Sequence, residues 1–172
     1  WTTMNSTPAQ AMRQLGDGRS YVLPSLLQCN FGNLEREIDL LEQAGVLALH
    51  LDVMDGHFVP NLTYGMPIVE AVRKLTMLPL DVHLMISHPS KYVQGFVDAG
   101  ADCLTIHAEI PEEAGAVLEQ IRGAGAMAGL ALNPATTLSE ATDLLPLCDL
   151  LLMMSVNAGF GGQSFNPIAL EK

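Results

Sequence analysis

The strongest constraint on the fold is a regular alternation of apolar, strand-like runs with amphipathic helical stretches. Strands are predicted at six places, over residues 21–27, 46–53, 79–86, 102–107, 127–132 and 149–154. Helices are predicted between them, first as an apolar stripe from Leu34 to Ala44 that stops at Gly45, and then over 67–75, 89–99, 112–124 and 138–146. Strictly alternating units of this kind indicate an α/β protein with a parallel sheet, either doubly wound or closed as a (β/α)8 barrel.

Polar side chains distinguish these two architectures. They lie toward the carboxyl ends of most of the predicted strands, at Ser25, His50 with Asp52, His83, His107, Asn133 and Ser155. In a barrel these ends converge on one mouth, whereas a doubly wound sheet concentrates its function at a single switch point. No G-x-G-x-x-G pattern follows the first predicted strand. The sequence therefore predicts a barrel domain over residues 21–172, preceded by a polar N-terminal tail or weak helix over residues 1–20.

Composition limits the class of protein. Of the 172 residues, 49% are hydrophobic and 16% are charged, which argues against disorder, and no apolar run approaches the roughly 18 residues of a membrane span. The formal net charge of −11 argues against nucleic acid as a partner, and a phosphorylated ligand would depend on local donors. Three scattered cysteines, Cys29, Cys103 and Cys148, favour a reducing compartment, and no secretory signal is recognisable. We expect a cytoplasmic protein.

Three stretches combine apolar strands with residues that could carry chemistry. In the first, His50 and Asp52 are two residues apart and should share one face of a strand, and Gly56 then turns the chain. The run 80–86 repeats the arrangement, with His83 two residues after Asp81. The third, 153–165, is rich in glycine, and its backbone N–H groups could bind a phosphate. An imidazole beside a carboxylate suits metal binding or proton transfer, although such residues can also simply end a strand.

Together the three stretches resemble the ribulose-phosphate 3-epimerase family, from about Val22 to the last residue. The most specific part is His-Leu-Asp-Val-Met-Asp-Gly-His-Phe-Val-Pro-Asn at residues 50–61. The resemblance implies a (β/α)8 TIM barrel of the ribulose-phosphate-binding type, of which about six of the eight β-α units are present. Family members carry two further strands, the first with a Val-Asp-Gly-Gly motif, so we expect the chain to be C-terminally incomplete. The family is commonly oligomeric, which implies a homo-oligomer.

The resemblance also implies an activity. Members of the family interconvert D-ribulose 5-phosphate and D-xylulose 5-phosphate, in the pentose phosphate pathway and the Calvin cycle, through a metal-stabilised enediolate. His50, Asp52 and His83 match three of four metal ligands, and Asp52 also matches a proton-transferring aspartate. Two imidazoles and a carboxylate suit Zn²⁺ or Fe²⁺, with Mn²⁺ or Co²⁺ possible. The second acid, which would also be the fourth ligand, is expected in one of the further strands.

Other positions match the substrate contacts of the family. Ser25 and His83 are predicted to bind the sugar, and three methionines are predicted to form a water-poor wall beside the reacting carbons, at Met54, Met85 and Met154. A phosphate grip is predicted at Gly159, Phe160, Gly161 and Gly162. Two departures affect this region: Ala158 stands where the family usually has proline, and Gln28-Cys29-Asn30 replaces the commoner Ser-Ala-Asp.

Neighbouring polar residues are interpreted as structural. Asp55 precedes a glycine and is predicted to form turn hydrogen bonds, and Asp81 is predicted to have a hydrogen-bonding role. His57 and His107 could line the mouth but are expected to be structural histidines. Two alternatives to the pentose-phosphate epimerase stay open: an epimerase for a six-carbon ketose phosphate, and an inactive metal- or phosphate-binding fragment. A related decarboxylase is disfavoured because Asp52-Val53-Met54-Asp55 lacks the lysine of an Asp-x-Lys-x-x-Asp array.

Overall fold

The computed structural model describes residues 7–172, which form a single parallel sheet with helices packed against it. The strands follow one another in chain order across the sheet, as β1 Leu49–Met54, β2 Leu80–Met85, β3 Cys103–His107, β4 Met127–Leu132 and β5 Leu150–Met153. Parallel neighbours that are consecutive in the chain require a crossover between each pair; the first three crossovers each contain an α-helix, and the last contains 3-10 turns. The predicted β-α alternation is thereby confirmed. Within the described residues the sheet remains open between β1 and β5.

The five α-helices are α1 Pro8–Gln14, α2 Leu34–Gln43, α3 Met66–Leu75, α4 Val93–Asp98 and α5 Ala114–Gly123. Short 3-10 helices fill several connections, at Leu26–Gln28, Phe31–Asn33, Pro89–Lys91, Leu138–Ala141, Leu145–Leu147 and Pro167–Leu170. Within residues 7–172, none of the helices combines the length and the apolar character that a membrane crossing requires.

Strand alternation gives the sheet two chemically different faces. One face packs on the helices through aliphatic side chains such as Leu51, Val82 and Leu104, which are fully buried in the main hydrophobic core. The opposite face, here called the inner face, carries the intervening residues, including His50, Asp52, Asp81, His83, Thr105 and His107. Because β2 pairs with β1 so that Asp52 lies opposite His83, the polar side chains of neighbouring strands meet on this face.

The amino-terminal edge of the inner face is covered by α1. Met12 is buried against Ala48, Cys103 and Met127, which lie at or just before the starts of their strands. Arg13 adds a salt bridge of 3.2 Å to Asp149. The helix thus closes the end of the sheet opposite to the polar strand ends. The predicted tail also includes residues 1–6, which lie outside the described residues, and its separation from the barrel domain stays a prediction.

Two predicted elements are replaced by other structure, and the helix predicted over 89–99 is a 3-10 turn followed by the short helix α4. The strand predicted over residues 21–27 is reduced to a single bridge between Ser25 and His50, and the chain then enters the 3-10 helix Leu26–Gln28. Ser25 begins that helix, because its hydroxyl accepts a hydrogen bond of 3.0 Å from the Leu27 N–H, and Pro24 has no N–H for a strand ladder. The helix predicted over 138–146 is instead two 3-10 turns, the second of which contains Pro146.

Candidate metal and substrate site

Three potential metal ligands converge on the inner face of β1 and β2. His50 Nε2 lies 3.3 Å from Asp52 Oδ1, and the same oxygen lies 3.1 Å from His83 Nδ1. One donor atom from each residue lies within 4.8 Å of the other two. Asp52 and His83 are buried and His50 is nearly so. Two imidazole nitrogens and a carboxylate oxygen at this spacing could hold a divalent cation.

Asp81 contacts the ring nitrogen of His50 that does not face Asp52. Its Oδ2 lies 2.8 Å from His50 Nδ1, and its Oδ1 accepts a hydrogen bond of 2.9 Å from the Thr105 hydroxyl. The register of β1 and β2 places His50 directly opposite Asp81, which explains the contact. The hydrogen-bonding role predicted for Asp81 is confirmed. This contact leaves His50 Nε2 as the nitrogen that faces Asp52 and His83.

The pKa values of the two histidines shift in opposite directions. Burial opposes protonation of His50, but hydrogen bonds to Asp52 and Asp81 outweigh it and raise the pKa of its imidazole to about 10. For His83, burial dominates and lowers the pKa. Burial alone would raise the pKa of Asp52, yet hydrogen bonds from both histidines hold it below its usual range. A cation bound at His50 Nε2 would therefore replace a proton.

Ser25 completes the surroundings of Asp52. Its hydroxyl donates a hydrogen bond of 2.5 Å to Asp52 Oδ2, the carboxylate oxygen that does not face the histidines. The bridge between Ser25 and His50 positions this hydroxyl. The Asp52 backbone N–H donates to the Tyr64 hydroxyl at 3.1 Å, which ties the strand end to the following loop. Both oxygens of Asp52 are thus held in defined directions.

Two further side chains, His107 and Glu109, continue the hydrogen-bonded series from the second ring nitrogen of His83. His83 Nε2 is 2.8 Å from His107 Nε2, and His107 Nδ1 is 3.0 Å from Glu109 Oε2. His107 is fully buried, and its ring stacks on that of His83 at a centroid distance of 4.9 Å. Sequence reasoning interpreted His107 as structural and did not single out Glu109. The available signal was position, because Glu109 follows His107 by two residues at the same end of the sheet.

Two of the three methionines predicted to form a wall lie together. Met54 and Met85 lie opposite each other at the ends of β1 and β2 and are buried together with Val59 in a small cluster on the inner face. Met154 lies just after β5, is only half-buried, and donates its N–H to the Leu132 carbonyl. Met54 and Met85 therefore form an apolar layer on the face that carries Asp52 and His83, two residues further along each strand.

The glycine-rich loop packs against the stretch that follows β1. Gly159 has a φ of +121°, and its carbonyl accepts a hydrogen bond of 2.7 Å from the Asn61 side chain. A side chain at Gly161 would meet Gln28 at 2.8 Å. Phe160 is about half exposed, at 52%. The loop thus reaches the same mouth from the opposite edge of the sheet, where its backbone could approach an anion.

Asp55 and His57 stabilise the turn after β1. Asp55 Oδ1 accepts backbone hydrogen bonds of 2.8 Å from His57 and Phe58, and Oδ2 accepts one of 2.8 Å from Ser87. The His57 ring contacts the Asp55 carbonyl at 2.9 Å. These contacts confirm the turn role predicted for Asp55.

Comparison with known proteins identifies the family. The profile of the family described as "Ribulose-phosphate 3 epimerase family" matches residues 21–172. The chain belongs to the ribulose-phosphate 3-epimerase family. The family predicted from the three sequence stretches is therefore confirmed.

Several curated relatives carry the same name. "Ribulose-phosphate 3-epimerase" of Synechocystis sp. is 51% identical over 88% of this chain and 66% of its own length. The protein of that name from Treponema pallidum is 47% identical over 90% of this chain and 71% of its own length. "Ribulose-5-phosphate-3-epimerase, chloroplastic" of Arabidopsis thaliana is 49% identical over 88% of this chain. The chain spans 54% of the Arabidopsis protein and just under two thirds of the Synechocystis protein.

Solved structures support the fold. The tryptophan synthase subunit alpha of Legionella pneumophila superposes with a TM-score of 0.60 at 15% identity, over 86% of this chain and 68% of its own chain. A likeness at such low identity concerns the fold alone. Together with the family profile and the consecutive parallel strands, it confirms the predicted TIM-barrel class for this epimerase-family chain.

Proposed function

We propose that the protein interconverts D-ribulose 5-phosphate and D-xylulose 5-phosphate by proton transfer at C3 through an enediolate. The observation that carries the proposal is the convergence of three donor atoms on the inner face of adjacent strands, with His50 Nε2 at 3.3 Å and His83 Nδ1 at 3.1 Å from Asp52 Oδ1. Membership of the ribulose-phosphate 3-epimerase family supports the same reaction. The mouth of a barrel is where such an active site belongs.

The donor set fits a divalent metal ion. Two imidazole nitrogens and one carboxylate oxygen are ligands that Zn²⁺ and Fe²⁺ accept, and Mn²⁺ or Co²⁺ could substitute. His50, Asp52 and His83 would hold the ion. When bound, it would stabilise the negative charge that develops on the substrate oxygens at C2 and C3.

Asp52 is proposed as the group that carries the proton on one face of the substrate. Its pKa lies below the usual range, so it is a carboxylate at neutral pH and can accept a proton. It takes the C3 proton, and the electron pair of the broken C–H bond moves into the enediolate. Return of a proton to the opposite face of C3 inverts the centre. The Ser25 hydroxyl, which donates to Asp52 Oδ2, keeps the carboxylate in one orientation and could also contact a sugar hydroxyl.

Apolar and phosphate contacts complete the proposed substrate site. Met54 and Met85 exclude water from the side of the ligand cluster, and Met154 is proposed to extend this wall from β5. A water-poor environment protects an enediolate from side reactions. Backbone N–H groups of the segment 159–162 are proposed to bind the phosphate, which needs local donors because the chain has a net charge of −11. A cytoplasmic, homo-oligomeric enzyme is part of the same proposal.

The test replaces Asp52 with Asn. The Asp52→Asn variant should lose epimerase activity by at least about 10²-fold, and should also lose exchange of the C3 hydrogen with solvent deuterium, because its amide cannot accept the proton. Asp143→Asn, at an exposed position, is the matched control and should keep both activities. Retention of deuterium exchange in Asp52→Asn would contradict the proposed role. Turnover of a six-carbon ketose phosphate faster than of D-ribulose 5-phosphate would reassign the substrate.

A further inference from the structure

We propose that His107 and Glu109 are positioning residues that fix the orientation and the tautomer of His83, so that its Nδ1 can bind the metal ion. This inference rests on the metal site of the proposed function. It assigns a role to two side chains outside the ligand cluster, one of which the sequence analysis did not single out.

The imidazoles of His83 and His107 are in direct contact. His83 Nε2 and His107 Nε2 are 2.8 Å apart, and both rings are buried, with exposed fractions of 1% and 0%. A hydrogen bond between two ring nitrogens requires a hydrogen on one and a lone pair on the other. When a metal ion takes the place of the hydrogen bond between His83 Nδ1 and Asp52 Oδ1, Nδ1 offers its lone pair to the metal and a neutral His83 carries its hydrogen on Nε2. His107 Nε2 must then be the acceptor.

Glu109 selects this arrangement. With its Nε2 as acceptor, a neutral His107 carries its hydrogen on Nδ1, which lies 3.0 Å from Glu109 Oε2. A carboxylate can only accept, so at 3.0 Å it favours this tautomer of His107 over the other, in which Nδ1 would accept from Asn133 Nδ2 at the longer distance of 3.4 Å. Burial alone would raise the pKa of Glu109, but hydrogen bonds from His107 and Thr136 lower it to about 2, so the group is ionised at neutral pH. Glu109 thus favours one tautomer of His107, and His107 in turn favours one tautomer of His83.

Glu109, the last residue in this series of hydrogen bonds, is itself held in place. Glu109 Oε1 accepts a hydrogen bond of 2.8 Å from the Asn133 backbone N–H and another from the Thr136 hydroxyl, both in the loop after β4. Phe58 contacts the His107 ring at a centroid distance of 4.9 Å, as does the ring of His83. The His107 ring is therefore restricted in rotation, which keeps Nε2 toward His83 and Nδ1 toward Glu109.

The two imidazole ligands are supported differently. His50 reaches its carboxylate, Asp81, directly at 2.8 Å, whereas His83 reaches Glu109 only through His107. A carboxylate that accepts from the second nitrogen of a ligating histidine fixes the ring and increases its basicity. Loss of such an outer partner typically weakens metal affinity by about 10- to 100-fold. His107 extends this support across a distance that one carboxylate could not span.

The experiment measures zinc affinity by competition with a chromophoric chelator at fixed pH. Glu109→Gln and His107→Phe should bind zinc about 10- to 100-fold more weakly than the unmodified protein. Glu112→Gln is the matched control, because Glu112 accepts its hydrogen bonds from Ser90, away from the ligand cluster, and should leave the affinity within about twofold. Circular dichroism of each variant establishes that it is folded.

A second readout needs no variant. In the zinc-loaded unmodified protein, ¹⁵N chemical shifts should identify His107 as the neutral Nδ1–H tautomer and His83 as the Nε2–H tautomer. Zinc affinities of Glu109→Gln and His107→Phe that match the unmodified protein, or a His107 hydrogen on Nε2, would overturn the inference and leave the metal site intact. An unmodified protein that binds no zinc, iron, manganese or cobalt would instead overturn the metal site on which the inference depends.

Discussion

Substitution of Gly129 by Ala tests whether the inner face is packed as tightly as the structure indicates. Gly129 lies in β4 directly opposite Thr105 of β3. A Cβ added at Gly129 would lie 2.9 Å from the Thr105 Cβ and 3.0 Å from its Cα, and closer still to its hydroxyl oxygen. These atoms belong to a strand backbone and a β-branched side chain, which cannot move aside easily. The extra methyl group therefore has to displace Thr105 or separate the two strands.

The free energy of unfolding should fall through two effects. Overpacking of a buried site typically costs about 1–3 kcal/mol. Displacement of Thr105 also removes its hydrogen bond to Asp81 Oδ1, and a buried acceptor left without a partner costs about 1–3 kcal/mol. Gly-to-Ala replacement stabilises by about 0.4–1 kcal/mol through the unfolded chain, which offsets part of the loss. The net destabilisation should be about 2–4 kcal/mol.

Equilibrium unfolding in urea provides the assay. With a slope of about 2 kcal/mol/M, the midpoint of Gly129→Ala should fall by about 1–2 M. Gly123→Ala is the matched control, because Gly123 lies at the end of α5 and a Cβ there meets nothing within 4 Å. Alanine favours a helix over glycine by up to about 1 kcal/mol, so the control should be unchanged or slightly more stable.

A double variant separates the steric effect from any general weakening of β4. In a Thr105→Gly background, the atoms that the new methyl group meets most closely are gone, and Gly129→Ala should cost at least about 1 kcal/mol less. A midpoint for Gly129→Ala within about 0.2 M of the unmodified protein would refute the reasoning, because the sheet would then accommodate the methyl group without strain. An equal penalty in both backgrounds would show that Thr105 is not the obstacle.

Three further predictions concern other parts of the fold. A pKa of Glu109 near 2 instead of 4.5 stabilises the folded protein above pH 4.5, by no more than about 2 kcal/mol after a discount for its partial exposure, and this contribution is lost as the pH falls toward 2. The stability difference between the unmodified protein and Glu109→Gln, measured in urea, should therefore shrink between pH 6 and pH 3; a constant difference would contradict this. Gly100 and Gly125 both have a positive φ, but only at Gly100 would a Cβ meet Arg73, at 2.5 Å from its Cγ, so Gly100→Ala should cost about 1 kcal/mol more than Gly125→Ala in thermal unfolding. Met12→Ala should reduce the free energy of unfolding by about 2 kcal/mol, because it leaves a cavity where the Met12 side chain packs between α1 and the sheet. An unchanged value would mean that this packing of α1 adds no stability.

The sequence predicts the architecture well where periodicity and chemistry agree. Apolar runs alternating with helical stripes define the β-α units, and the predicted bounds of β4 match the structure at both ends. The shared face of His50 and Asp52 follows from the two-residue period of a strand. His83 reaches the same point because it follows Asp81 in the next strand as Asp52 follows His50. The ligand cluster is therefore encoded by spacing within each strand.

Other features depend on tertiary contacts that no local pattern reveals. The residues 21–27 have strand-forming side chains, but Pro24 and the capping hydroxyl of Ser25 restrict pairing to one bridge. Glu109 lies beyond the end of β3, and its contact with His107 depends on how the loop folds back. Glycine at 129 is informative only when the register places it opposite Thr105. In each case the missing information is the relative placement of two segments.

The polar groups of the inner face behave as one connected unit. Thr105 donates to Asp81, which contacts His50; His50 and His83 share Asp52 Oδ1; and His83 leads through His107 to Glu109. In the described part of the chain, no buried side-chain nitrogen or oxygen atom lacks a hydrogen-bond partner. A fully satisfied network in a low-dielectric interior is rigid, and removal of one member leaves its neighbours unpaired. The perturbed pKa values of His50 and Asp52 therefore belong to the whole unit. Substitutions within it should be non-additive, because the first disrupts contacts that the second would otherwise remove.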